Sequence, residues 1–365
     1  MYSFDKTDEQ RMLTDTVNRF ATRTMRKVYR EAEEEGAIPA EIIDSGWELG
    51  LLPASLPEDY GGFGEYSVLN GALYAEELSY GDLAITLELL HPNQMAIPIL
   101  LCGTEEQKEE YLPLFCDEEM PKATAAFLEP VITFDPADLK TTARLDGGQY
   151  LLSGKKTMVI DADEAELLLV YAKDEADGQT QAFLVAANAP GVTIGDRDKW
   201  MGLNALKTYT VEFENVAVAQ GKRLGGEEGI DLQKILNSSR IAQAAVGVGL
   251  ARAAYEYALD YAKDREAFGE PIAHRQSIAF MLADMAIEVD AARMLLWEAA
   301  WKLDNADTGA HDSYLAAQYA ADMALNVTDC AVQILGGHGY IREHPVELWL
   351  RNGRGIATLL GSVIV

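Results

Sequence analysis

Residues 141–154 read TTARLDGGQYLLSG, and this run decides the fold. Two short segments with strand-forming residues flank Asp146-Gly147-Gly148, the kind of turn that accepts positive φ and lets a chain double back as a hairpin. Downstream, AELLLVYAK (165–173) and QAFLVAA (181–187) add apolar runs separated by Asp177-Gly178. TYTVEFENVAVA (208–219) then alternates with the period of two expected where one sheet face is buried. Residues 122–225 therefore read as a β-domain.

On both sides the pattern is helical. Upstream, Thr7 with Gln10 and Thr104 with Gln107 have the spacing of capping boxes, so each marks a helix start. Between them LPEDYGGFG (56–64) reads as an ordered turn. Downstream, residues 241–263, 276–303 and 313–335 predict three helices of a bundle. The stretch AFMLADMAIEVDAARMLLWEAAWKL (279–303) carries apolar residues around much of the helix, which suits both a bundle core, including Trp297 and Trp301, and a subunit contact. The fold class expected is α+β: an N-terminal α-helical domain (1–121), a central β-domain (122–225) and a C-terminal α-helical bundle (226–365).

Composition narrows the function. Thirty Lys plus Arg against fifty-nine Asp plus Glu give a net charge of −29, a field that repels a phosphate backbone and argues against nucleic acid. Cys102, Cys116 and Cys330 stand far apart without CxxC spacing, which fits a reducing cytoplasm better than a disulfide framework or zinc site. No apolar run approaches the length of a membrane span, and the first residues lack a signal-peptide pattern. The histidines lack HExxH pairing, GxSxG and GxxxxGK[ST] are absent, and no metal site is expected.

Five strings in order carry more. DEQRMLTDTVNRFA (8–21), ELGLL…PEDYGGFG (48–64), GTEEQKEEYLP (103–113), DREAFGEPIAHRQSIAFMLADMA (264–286) and AVQILGGHGYIREHPVELWLRNGR (331–354) together resemble the acyl-CoA dehydrogenase family over essentially the whole chain. The resemblance implies two helical domains packed around a β-barrel, a tetramer built as a dimer of dimers, and FAD bound at the subunit interface. It also implies the reaction: a glutamate removes the α-proton of an acyl-CoA thioester while the β-hydrogen leaves as hydride to the flavin. An electron-transferring flavoprotein is the electron acceptor that the family implies.

Position by position, the resemblance splits. The family's catalytic glutamate falls on Leu360, and the alternative location of the base, just before an arginine, falls on Ser239. Neither side chain is a base. The loop that holds the flavin ring in the family, T-E-P-G-A-G-S-D, reads LEPVITFD here (128–135), with Val131 and Ile132 among its replacements and Phe134 at the serine position. The second ring-contacting strand reads Met158-Val159-Ile160 in place of Trp-Ile-Thr/Ser, and the sequence ends at Val365, short of the family's final helix. The other half matches. Arg265 and Phe268 of R-x-x-F-G, Gln276, and Gln333, Gly336 and Gly337 of Q-x-x-G-G correspond to residues that grip the adenosine diphosphate end of the flavin in the neighbouring subunit. Asn237 and Arg240 match positions on the CoA side of the substrate.

Each residue also has a plainer reading. Arg265 or Arg240 could pair with an acidic neighbour, Gln276 could be a surface amide, Gly336-Gly337 could cap a helix, and His338 could be a turn residue. The reading that accounts for a split site is a subunit of a heteromeric acyl-CoA dehydrogenase, a heterotetramer whose homologous partner carries the glutamate and the flavin ring. The alternatives are a non-enzymatic scaffold or CoA-thioester-binding protein, and an active homomer with its base relocated to Glu129 or Asp135.

Overall fold

The computed structural model describes residues 4–306 and 309–365. Seven α-helices precede the first strand: α1 (Asp8–Phe20), α2 (Arg26–Glu35), α3 (Ala40–Trp47), α4 (Val68–Gly81), α5 (Leu83–Leu90), α6 (Asn93–Cys102) and α7 (Glu105–Tyr111). Both capping boxes form, at Thr7 with Gln10 ahead of α1 and at Thr104 with Gln107 ahead of α7. Gln107 is buried and does more than cap. Its Nε2 donates to the carbonyls of Gly221 and Arg223, and its Oε1 accepts from Gly225 N, so α7 is tied to the far end of the sheet.

The sheet begins with β1 (Ala123–Ala126). The hairpin of β2 (Thr142–Asp146) and β3 (Gln149–Ile160) then closes Asp146 against Gln149, with φ of 59° at Gly147 and 87° at Gly148. Those two values are what the turn requires and what glycine supplies without strain. β4 (Leu167–Asp174) pairs along one edge with β5 (Thr180–Ala186), and along the other with β1 and then β2, both parallel. β3 pairs with β7 (Thr208–Ala219), and β7 with β6 (Val192–Arg197). The seven strands form one curled mixed sheet, the central β-domain expected between the two helical domains; among the described residues no ladder joins β5 to β6. β7 alternates as its sequence predicts, with Val211, Phe213, Val216 and Val218 turned into a core shared with Tyr150, Leu152, Val170 and Phe183.

The remaining helices are α8 (Leu232–Asp264), α9 (Gln276–Ala306), α10 (Ala310–Leu335) and α11 (Val346–Gly353), with a two-stranded ribbon, β8 (Glu266–Ala267) and β9 (Glu270–Pro271), between α8 and α9. Contacts at Asn237–Ser313, Gly247–Ala320 and Tyr261–His338 advance along both chains together, so α8 and α10 run parallel. Their alanine-rich faces and α4 form the largest core. Arg252 bridges Glu76 and Glu77 of α4 at 3.0 and 2.6 Å, a buried charge cluster that Arg293 of α9 completes.

Candidate functional site

The two base positions meet. Leu360 lies in the segment 359–365 that follows α11 and turns back beneath α4, α6 and α8. Gly361 N donates to Ser239 Oγ at 2.7 Å, so the Ser239 hydroxyl, fully buried on α8, is already committed to the backbone. The segment is fastened along its length: Gln94 Nε2 donates to Ser362 O (2.7 Å), Asn93 Nδ2 to Ile364 O (3.1 Å), Tyr66 Oη to Val365 O (2.9 Å), and Ser238 Oγ also to Val365 O. Val363, Ile364 and Val365 are at most 1% exposed. Gly361 has φ 78°, and a Cβ there would lie 1.9 Å from the Phe127 ring, so this turn accepts only glycine. Thus neither base position carries a carboxylate, and the turn packs against the Phe127 ring.

The loop 128–135 is closed as well. Glu129 turns inward, where its carboxylate accepts from Lys140 N (2.7 Å), Thr141 N (2.8 Å) and Lys156 Nζ (3.0 Å), while Lys156 also donates to Phe127 O (3.0 Å). Burial would raise the Glu129 carboxyl, but the Lys156 charge and the two backbone N–H groups outweigh it and hold the group below the usual carboxylate range. A carboxylate so stabilised is a poor proton acceptor. Asp135 is exposed and accepts from Ala137 N at 2.9 Å. Phe134 stands edge-on to Phe127 at 5.5 Å, and Phe127 to Tyr171 at 4.6 Å, so an aromatic stack fills the loop's inner side. Val131 and Ile132 face solvent. Thr157 N donates to Leu128 O (3.0 Å), which joins the loop to β3 where that strand bulges at Met158, φ 53°. This half does not fit a flavin ring: Phe134 and Met158 add apolar packing where a ring would need donors and room.

The other group collects at one end of the bundle. Arg265 follows the last turn of α8, Phe268 tips the β8–β9 ribbon, Gln276 starts α9, and Gln333, Gly336 and Gly337 end α10. Tyr261 Oη to His338 Nδ1, at 2.7 Å, ties the α8 end to the α10 end. Arg265, Phe268, Gln276, Gln333, Gly336 and Gly337 are all exposed. Among the described residues Arg265 has no ion pair and no side-chain hydrogen bond, only backbone bonds to Tyr261 and Ile272, in a chain with fifty-nine acidic residues. Gly336 does end α10 in a positive-φ cap, but Gly337 does not have positive φ, and a Cβ at either would meet nothing within 4 Å. Both the Arg265 guanidinium and the backbone at Gly336-Gly337 are thus open to solvent. Phe268, 97% exposed, and Phe280 and Ile287 along α9 form apolar surface around this end. His338 stacks on His344 at 5.3 Å and serves the turn.

Asn237 and Arg240 sit at the other end of α8. Asn237 is buried beside a cavity of about 520 Å³ lined also by Tyr66, Leu101, Lys234 and Ser238, and its Oδ1 accepts from Gln233 Nε2 (2.7 Å) and Ser313 Oγ (3.2 Å). Arg240 is half-buried over the Tyr314 ring at 5.5 Å, without a carboxylate partner among the described residues. The cavity stops at Tyr66 and Ser238, whose hydroxyls hold Val365. Those two, with Asn93, Gln94 and Lys156, are the residues that sequence reasoning passed over.

Comparison with known proteins gives a consistent result over the whole length. Models of the acyl-CoA dehydrogenase N-terminal, middle and C-terminal domains match residues 7–119, 124–216 and 228–363. An acyl-CoA dehydrogenase of Bacillus subtilis is 35% identical over 354 residues, covering 95% of this chain and 93% of its own. Among solved structures, butyryl-CoA dehydrogenase from Megasphaera elsdenii superposes with a TM-score of 0.89 at 31% identity, covering 100% of this chain and 96% of its own. A chain from a study of the electron-transferring flavoprotein of Acidaminococcus fermentans does so at 0.89 and 33%, covering 97% and 94%. No helix among the described residues is long and apolar enough to cross a membrane.

Proposed function

The chain belongs to the acyl-CoA dehydrogenase family, and from that premise we propose that it is a subunit of a heteromeric, FAD-dependent acyl-CoA dehydrogenase that completes its partner's flavin site without carrying out the chemistry itself. The observation that carries this reading is the contrast between the two half-sites. Where its own flavin ring and acyl chain would have to lie, the chain has Phe134, Met158 and the buried Val363, Ile364 and Val365. Where a neighbour's nucleotide would lie, Arg265 is unpaired and Gly336-Gly337 are open. Random loss of function would not spare one half.

In this role Arg265 neutralises pyrophosphate charge, the glycines let backbone approach it, and Gln276 and Gln333 offer amide hydrogen bonds. The apolar surface of Phe268, Phe280 and Ile287 would be covered by the homologous partner, which supplies the glutamate and the flavin ring. FAD held in this way would supply the hydride acceptor for acyl-CoA dehydrogenation, and an electron-transferring flavoprotein would be the acceptor of its electrons. The test is acyl-CoA-dependent dye reduction by this chain alone and after assembly with a homologous subunit that carries the glutamate. Turnover only in the assembly is expected; turnover by the chain alone contradicts the proposal.

Restoring a carboxylate is not expected to rescue this chain. Leu360→Glu, assayed alone with flavin supplied, should stay at background, because Phe134 and Met158 remain packed on the loop side and Val363, Ile364 and Val365 remain buried. Measurable acyl-CoA oxidation by that variant would mean that the cavity opens. A second reading, a CoA-thioester-binding scaffold, is favoured by the open cavity with Lys234 and Asn237 on its wall. Tight acyl-CoA binding by assemblies that contain no flavin would select it.

A further inference from the structure

Among residues that neither half-site uses, the α5–α6 junction meets the sheet. Glu88 lies in the last turn of α5, His91 follows three residues on, and Asp161 comes in from just past β3. One ligand atom from each of these side chains lies within 4.8 Å of the other two. Glu88 is 7% exposed and His91 3%.

None of the three is satisfied by an ordinary partner. Asp161 Oδ1 is buried with no hydrogen bond. The Glu88 carboxyl faces that of Asp161 and receives no N–H group or hydroxyl among the described residues. His91 makes one hydrogen bond, Nδ1 to the Glu88 carbonyl oxygen at 2.7 Å. A carbonyl only accepts, so the proton is on Nδ1 and Nε2 keeps its lone pair. A backbone carbonyl that fixes the tautomer in this way is how proteins orient a metal-binding imidazole.

Charge points the same way. Two carboxyls side by side in a dry site either share a proton or need a cation between them. Lys122 and Lys207 line the cleft; Lys207 is engaged by Glu164 at 2.9 Å, and neither lysine donates to Glu88 or Asp161 among the described residues. The cluster opens into a cleft of about 680 Å³ whose wall adds Asp44, Glu48, Glu118 and Glu119, a lining that concentrates cations at its mouth.

We propose that Glu88, His91 and Asp161 bind a single divalent transition-metal ion of the Zn²⁺ or Mn²⁺ kind, which clamps the α5–α6 junction to the end of β3. One imidazole and two carboxylates form a donor set for ions between the hard and the soft extremes. Three protein ligands leave coordination positions for water from the cleft. The site is independent of the flavin proposal, since no residue is shared.

The experiment uses tag-free, chelator-treated protein and Co²⁺ as the probe, because its visible absorption reports nitrogen and oxygen coordination. A single Co²⁺ per chain, displaced by equimolar Zn²⁺, is expected, with a melting temperature that rises on metal addition. His91→Gln and Glu88→Gln, each checked for native circular dichroism, should weaken uptake by about tenfold or more and abolish the thermal shift. Glu88→Gln keeps the buried volume, so it tests the site even if the histidine variant fails to fold. Uptake unchanged in Glu88→Gln would assign the metal to surface carboxylates. No stoichiometric band in the native protein would leave a carboxyl pair sharing a proton. Either result overturns the proposal.

Discussion

Arg265→Ala is expected to weaken FAD retention by the assembled complex by about 30-fold or more. Charge-assisted hydrogen bonds to phosphate contribute about 1.5–3 kcal/mol each, and an arginine fork can make two. The residue is exposed and its side chain has no partner among the described residues, so its loss should change the stability of this subunit by no more than about 0.5 kcal/mol. That combination separates a binding role from a structural one. Arg265→Lys should recover only part of the affinity, because an ammonium cannot reproduce a planar, two-pronged contact. Dialysis followed by flavin fluorescence reads the outcome. Retention equal to the native complex would remove Arg265 from the site.

Lys156→Met should cost about 3–5 kcal/mol of folding stability, read as a lower urea midpoint with an unchanged slope. The substitution leaves the Glu129 charge buried on two backbone N–H groups and takes the donor from Phe127 O. pH sharpens the test. In the native chain Glu129 titrates below the usual carboxylate range, so its contribution is present above about pH 4 and fades as pH falls through the depressed value. Without Lys156 the largest remaining influence is burial, which raises the carboxyl, so the loss should begin at higher pH. Adding Glu129→Gln to Lys156→Met should recover much of the stability. An additive pair would mean that the two side chains are not coupled.

The features legible in the sequence were those set by local demands. Asp146-Gly147-Gly148 needs positive φ, Thr7 and Thr104 need a glutamine three residues on, and β7 must alternate; each held. α8 begins at Leu232, before the periodic run read from residue 241, because Asp231 caps it through Lys234 N, a signal visible only once the turn is seen. The strand order is not legible in the sequence, because it depends on which distant strands pair: β4 offers one edge to β1 and β2 in succession, and nothing local announces that. Glu129 was weighed as a relocated base because its neutralising partner lies 27 residues away. The burial of the last residues is hidden for a similar reason, since Val363, Ile364 and Val365 look like any aliphatic run until Tyr66, Asn93, Gln94 and Ser238 are seen to hold this segment. Glu88 and His91 are spaced one helical turn apart, but the residue that makes them a cluster comes from the sheet.

The central claim is that this chain contributes the outer half of a flavin site that another subunit must complete. The absorbance spectrum tests it most directly, recorded first on the chain purified alone and then on its complex with a homologous, glutamate-bearing subunit. The account predicts a colourless protein alone and a yellow complex with about one flavin per pair of subunits. A yellow protein purified alone would contradict it, because Phe134 and residues 359–365 would then have to make room for a flavin of their own.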